Sequence, residues 1–335
     1  MRPPFDGGGR GEGQIMANAT IIYAGTQQGL AIVNKPGTLP EWLPPRMVLD
    51  GADVQSVWAS AGPPIRVLAV AGGQLLLSDS GGRSWEPART GTEAACTGIF
   101  EGAGADHDFA VLYAGIVGGV MAVSRDGGAS WQTLPPVAPP AVAGGGGVAL
   151  RAVLALVAAP DAGQQGIFYL LAEDESGTKA VLAGVPERGE WWVVLDGDVR
   201  AIACDTGTGY IYAATGEGVQ VSMDAGASWH VLPGSPLAGQ CMVAVPGPPG
   251  RMPSLVVGVP EGLRVSHDGG NNWQIVALPR PCAVVALTRD PERRDRLYAA
   301  TDESFLFESG NRGREWKQVN ARPLPLVRCL YAIRF

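Results

Sequence analysis

Lysine is nearly absent. Of 25 basic residues in 335, only Lys35, Lys179 and Lys317 are lysine. The remainder are arginine, which reads as genomic base composition. Charge of either sign is sparse at 17%, and 32 acidic residues outnumber the 25 basic ones. A formal net charge of −7 argues against a general grip on nucleic-acid phosphates. No run of 18 uninterrupted apolar residues exists, so no membrane span is expected. The opening MRPPFDGGGRGEGQIMANAT has no apolar stretch of the signal-peptide kind. Residues 1–17 read as a flexible tail, with Met16 an alternative start and 18–335 the folded unit. Five cysteines is an odd number without a CxxC pair, so free thiols and a cytoplasmic location are expected. His107, His230 and His267 are too dispersed for a metal site, and neither metal nor other cofactor is expected.

Turn formers are abundant instead. Glycine (48) and proline (27) are too frequent for a helical bundle and lack the period of collagen. With 46% apolar residues the chain is no disordered tract.

Internal repeats decide the architecture. Five segments align: SDSGGRSW (78–85), SRDGGASW (124–131), SMDAGASW (222–229), SHDGGNNW (266–273) and SGNRGREW (309–316). Each follows an apolar run broken by a short glycine or acidic loop, as in IYAATGEGVQV and LYAATDESFLFE. Two weaker copies, at 21–42 and 168–192, complete a set of seven. The repeat tryptophans are Trp42, Trp85, Trp131, Trp192, Trp229, Trp273 and Trp316. Their mean spacing of about 46 suits one four-stranded propeller blade. The runs alternate with period two, as strands do.

One more strand per repeat, strand A of a chain order A-B-C-D in which the apolar run supplies B and C, lies between one tryptophan and the next run. Candidates are 54–59, 96–101, 150–158, 199–204, 240–245 and 282–287. A seventh, VRCLYAIRF, occupies 327–335. The expected fold is therefore all-β: a seven-bladed β-propeller of four-stranded blades, closed 3+1 by the C-terminal strand. Closure removes free sheet edges.

The octapeptides fit S-x-D-x-G-x-[ST]-W. This resembles the Asp-box (BNR) repeat of sialidases, sortilin-like receptors, xyloglucanases and photosystem II assembly factors. The best copies are Ser124, Asp126, Gly128 and Trp131; Ser222, Asp224, Gly226 and Trp229; and Ser266, Asp268, Gly270 and Trp273. Ser80 and Asn311 replace the aspartate elsewhere. The chemistry of these residue types indicates a structural turn: Ser and Asp fix backbone amides and Trp packs between blades. The resemblance implies that these turns face away from any ligand.

Candidate chemistry divides into two groups. The sialidase [FY]-R-I-P signature is missing; IRV (65–67) is a poor match. Carboxylates do gather in the B–C loops: Glu173, Asp174, Glu175, Glu217, Glu261, Asp302 and Glu303. Glycoside hydrolysis needs two carboxylates at a set separation, so this rim is either a solvated edge or a glycan-hydrolase site.

The second group sits where strand A begins. Cys96, Cys241, Cys282 and Cys329 align there with Ser56, Ala152 and Ala201. The preceding residue reads Gln55, Ala95, Arg151, Arg200, Gln240, Pro281 and Arg328. Arg151, Arg200 and Arg328, with Gln55 and Gln240, would crowd the mouth of the axial channel. Guanidinium forks recognise carboxylate or phosphate two-point fashion. Alternatively, each arginine ties itself to an acid of the rim. The resemblance to photosystem II assembly factors implies an arginine patch that grips a protein partner.

The reading is a non-catalytic binding or scaffold propeller, monomeric alone, for a protein partner or a small anionic ligand. A glycan-active hydrolase is the alternative. A Pro-rich, then Gly-rich connection (133–149) is either a partner-contact loop or a spacer.

Overall fold

The computed structural model describes residues 19–102, 110–137, 150–159 and 166–334. The tail, residues 138–149 of the long connection and His107 lie outside them. The chain forms seven four-stranded antiparallel sheets, each running A to D from the axis outward. Blade 2 spans Val54–Ala59 to Glu86–Pro87, and blade 3 spans Cys96–Glu101 to Gln132–Thr133. Blade 4 spans Leu150–Ala158 to Glu190–Gly197, and blade 5 spans Val199–Cys204 to His230–Val231. Blade 6 spans Cys241–Val245 to Gln274–Val276, and blade 7 spans Val284–Arg289 to Lys317–Gln318.

Blade 1 is composite. Thr20–Thr26, Gly29–Lys35 and Arg46–Val48 supply its B, C and D strands, and Val327–Arg334 supplies A. Seven paired positions, from Thr20↔Arg334 to Thr26↔Val327, hold the two chain ends together.

The B strands explain why the ring is dense. Leu112–Ile116, Ile211–Thr215 and Leu297–Thr301 are buried at every position. A blade packs on both faces, so its middle strands cannot alternate apolar with polar. Tyr23, Tyr113, Tyr169, Tyr212 and Tyr298 fill the space between blades at 0–2% exposure. Outer D strands are short except in blade 4, and in blades 2, 3 and 7 they read Glu-Pro, Gln-Thr and Lys-Gln, all exposed.

The octapeptides share one turn. Ser124 Oγ accepts the Gly128 amide at 2.8 Å, and Asp126 Oδ1 accepts the Ser130 amide at 2.9 Å. The Trp131 indole donates to the Gly128 carbonyl at 3.0 Å. Ser222–Asp224–Gly226 and Ser266–Asp268–Gly270 repeat the serine and aspartate bonds. Ser80 and Asn311 accept the corresponding amides of Ser84 and Glu315, so the turn survives loss of the carboxylate. Gly128 adopts φ 89°, and a Cβ there would lie 2.5 Å from Leu68 of blade 2. The turn is thus also a blade-to-blade contact. In blade 4 the tryptophan packed into the core is Trp191 at 4% exposure, whereas Trp192 is 42% exposed. Repeat spacing alone cannot choose between adjacent tryptophans.

Candidate face at the entry of the inner strands

Each A strand starts on one face of the ring, which also carries the B–C and D–A connections. The start is irregular. The A–B register shifts between Val54 and Ser56, Cys96 and Gly98, Leu150 and Ala152, Val199 and Ala201, and Val284 and Ala286. In blade 1 the shift falls between Val327 and Cys329. In each of these six strands a residue near the start is therefore bulged out of the ladder. Those residues are Gln55, Thr97, Arg151, Arg200, Val285 and Arg328. Strand A of blade 4 shifts again between Val153 and Ala155, and that of blade 6 pairs without a shift, so Gln240 precedes its strand rather than standing at a bulge. A bulge re-aims a side chain that would otherwise pack on a neighbouring sheet.

This geometry corrects the sequence alignment in two blades. Thr97, not Ala95, occupies the shared position in blade 3, and Val285, not Pro281, occupies it in blade 7. Cys96 and Cys282 consequently leave the supposed cysteine register. Cys96 pairs before the bulge, and Cys282 precedes its strand. Only Cys241 and Cys329 occupy equivalent sites. Their thiols lie against the Val284 and Val54 carbonyls of the next blade, and burial pushes both up to about 12. Neutral thiols packed on carbonyls are spacers between blades rather than a thiolate ring.

The three arginines differ in availability. Arg200 grips Asp198, with Nη2–Oδ2 at 2.6 Å and Nε–Oδ1 at 3.1 Å. This fork holds the Asp198 carboxyl below its usual range. Gly216 makes room for it, since a Cβ there would meet Asp198 Oδ2 at 2.8 Å. Arg328 reaches Asp53 more loosely, with Nε–Oδ1 at 3.4 Å. Gln55 Nε2 donates to the other oxygen of Asp53 at 3.5 Å. Asp53 and Asp198 each stand two residues before a bulge, so the same local frame supplies both partners. Arg151 is exposed and makes no ion pair among the described residues. The Gly118 amide of the neighbouring B–C loop donates to its backbone carbonyl at 3.3 Å. Val117, 47% exposed, stands beside it. Gln240 is exposed at the head of blade 6.

The rim acids divide similarly. Asp174 Oδ1 accepts the amides of Ser176 and Thr178 at 2.8 and 2.9 Å and the Ser176 hydroxyl at 2.6 Å. These bonds hold its carboxyl low and make it a turn acceptor. Asp302 Oδ1 accepts the amides of Ala283 and Glu303 at 3.1 and 3.0 Å. Glu175, Glu217, Glu261 and Glu303 are exposed, and Glu173 is half-buried in its strand. Asp53 and Asp198, which hold Arg328 and Arg200, were missed by the sequence reading. The signal in the sequence was the i, i+2 spacing of Asp53 with Gln55 and of Asp198 with Arg200.

No family model matches this chain, and no curated protein does. Solved structures do. YCF48 from Cyanidioschyzon merolae superposes with a TM-score of 0.51 at 14% identity, covering 80% of this chain and 84% of that one. YCF48 bound to D1 peptide gives 0.52 at 17% identity, covering 76% and 77%. A chain of the nidogen/laminin complex gives 0.50 at 8%, covering 94% and 98%. The fold is shared. Identities this low carry nothing further about site residues. Among the described residues, no helix is long and apolar enough to cross a membrane.

Proposed function

We propose that this propeller is a non-catalytic binding platform for a protein partner, and that the bulged arginine face takes an acidic segment of it. The observation that carries the reading is Arg151: an exposed guanidinium without an acid among the described residues, at the same bulge as Arg200 and Arg328. Arg328 is held weakly enough to exchange Asp53 for an incoming carboxylate. Val117 adds an apolar contact beside Arg151. YCF48, a propeller of the same fold, has been solved with a peptide bound, which supports a protein partner over a small molecule.

The test is affinity capture with an N-terminally tagged bait beside the Arg151/Arg200/Arg328→Ala variant. A partner held by wild type and lost from the variant supports the reading. A partner retained by the variant overturns it. Asp198→Asn gives a second arm. Releasing Arg200 from its fork should tighten binding of an acidic partner by up to several-fold, because an exposed ion pair of this kind is worth about 0.2–1 kcal/mol. Weaker binding in that variant would exclude Arg200 from the contact.

A further inference from the structure

The opposite face, where the A strands leave the axis, holds cavities that the arginine reading does not use. Two of them, of about 480 and 500 Å³, adjoin at Glu101, Pro291 and Tyr331. The first is floored by Trp58 and Tyr331, whose ring centroids lie 6.5 Å apart. Ala59, Pro63 and Ile333 complete an apolar wall.

Two charged groups line this first cavity. Arg66 is already engaged, with Asp79 at 2.6 Å and the Gly127 carbonyl at 3.2 Å. Glu101 is exposed, and its Oε2 accepts the Tyr331 hydroxyl at 2.7 Å. A carboxylate offers about four acceptor sites, so one hydroxyl leaves capacity for further donors. Arg289 lines the second cavity, which also touches Glu101 and Tyr331. The first cavity is therefore lined by two aromatic rings, an aliphatic wall and one carboxylate with spare acceptors. Aromatic faces attract cations, and an apolar wall takes a methylene stem. The net charge of −7 favours approach of a cation.

We propose that this cavity binds an ammonium group on an unbranched apolar stem, with Glu101 as its counter-ion and Trp58 and Tyr331 as its platform. A free alkylamine and a lysine side chain share that chemistry. The proposal is independent of the arginine face.

The full chain is titrated with n-butylammonium and with Nα-acetyl-lysine methylamide, following the Trp58 indole N–H by NMR. n-Butanol and the norleucine amide are the uncharged controls. Glu101→Gln removes the charge and keeps an acceptor for Tyr331, so its melting temperature should stay at the wild-type value. Expected results are saturable binding of the amines, weaker binding of the controls, and about tenfold loss in Glu101→Gln. Tighter binding of the lysine amide assigns a peptide ligand, and tighter or equal binding of butylammonium assigns a free amine. The Arg151/Arg200/Arg328→Ala variant should bind amines as wild type does. No saturable amine binding, equal binding by Glu101→Gln, equal binding of the uncharged controls, or loss in the arginine variant would each overturn the proposal.

Discussion

Deleting residues 327–335 should unfold the ring, and the structure sets the size of the effect. The deleted segment supplies strand A of blade 1 and all seven paired positions with Thr20–Thr26. It carries Val327, Ala332 and Ile333 at 3%, 2% and 1% exposure. Burial of a valine or isoleucine stabilises by about 1.5–3 kcal/mol. Each ladder hydrogen bond adds about 1 kcal/mol net. The loss is then on the order of 10 kcal/mol, comparable with the whole stability of a typical protein. It also bares Ile22, Tyr23 and Ala24, all fully buried, along an open strand edge. Sedimentation and thermal melting are the assays. The truncated chain should aggregate or melt far below wild type, and a synthetic 327–335 peptide added in trans should restore a monomeric fold. Ile333→Ala, a milder probe of the same strand, should cost about 3 kcal/mol. A truncated chain that stays monomeric and melts at the wild-type temperature would refute closure through this strand.

Two further outcomes test the turns and the blade spacing. Hydrogen bonds from Ser228 hold the folded Asp224 carboxyl at about 2, against 3.8 for the ordinary group. A depressed folded value means that its stabilisation is present above pH of about 4 and disappears as pH falls towards 2. Asp224→Asn should therefore flatten the melting temperature against pH in that window, and an unchanged slope would rule the turn out as its source. Gly25→Ala should destabilise by about 1–3 kcal/mol in denaturant titration, because its Cβ would fall 2.5 Å from Cys329 Sγ and 2.7 Å from the Val54 carbonyl. A neutral result would mean that the blades can slide apart at the axis.

By itself the sequence determined the architecture. Seven copies of a strand–turn–strand unit can bury their two-faced sheets only against one another. The position of VRCLYAIRF after the seventh copy leaves the first copy as its partner, and four of the six other inner strands have the limits read from their apolar runs: Val54–Ala59, Cys96–Glu101, Leu150–Ala158 and Val199–Cys204. Tertiary structure decided the geometry of the candidate site. A bulge is a property of pairing between two strands, so neither Thr97 nor Val285 could be aligned from its own strand, and Cys96 and Cys282 were drawn into a register they do not share. The bond from Arg328 to Asp53 joins residues 275 positions apart, brought together only when the ring closes. The local pair of Asp198 and Arg200 needed the bulge to point both side chains at the same space. The cavity at Glu101, Trp58 and Tyr331 draws on blades 3, 2 and 1, and no linear pattern marks residues that meet only around an axis.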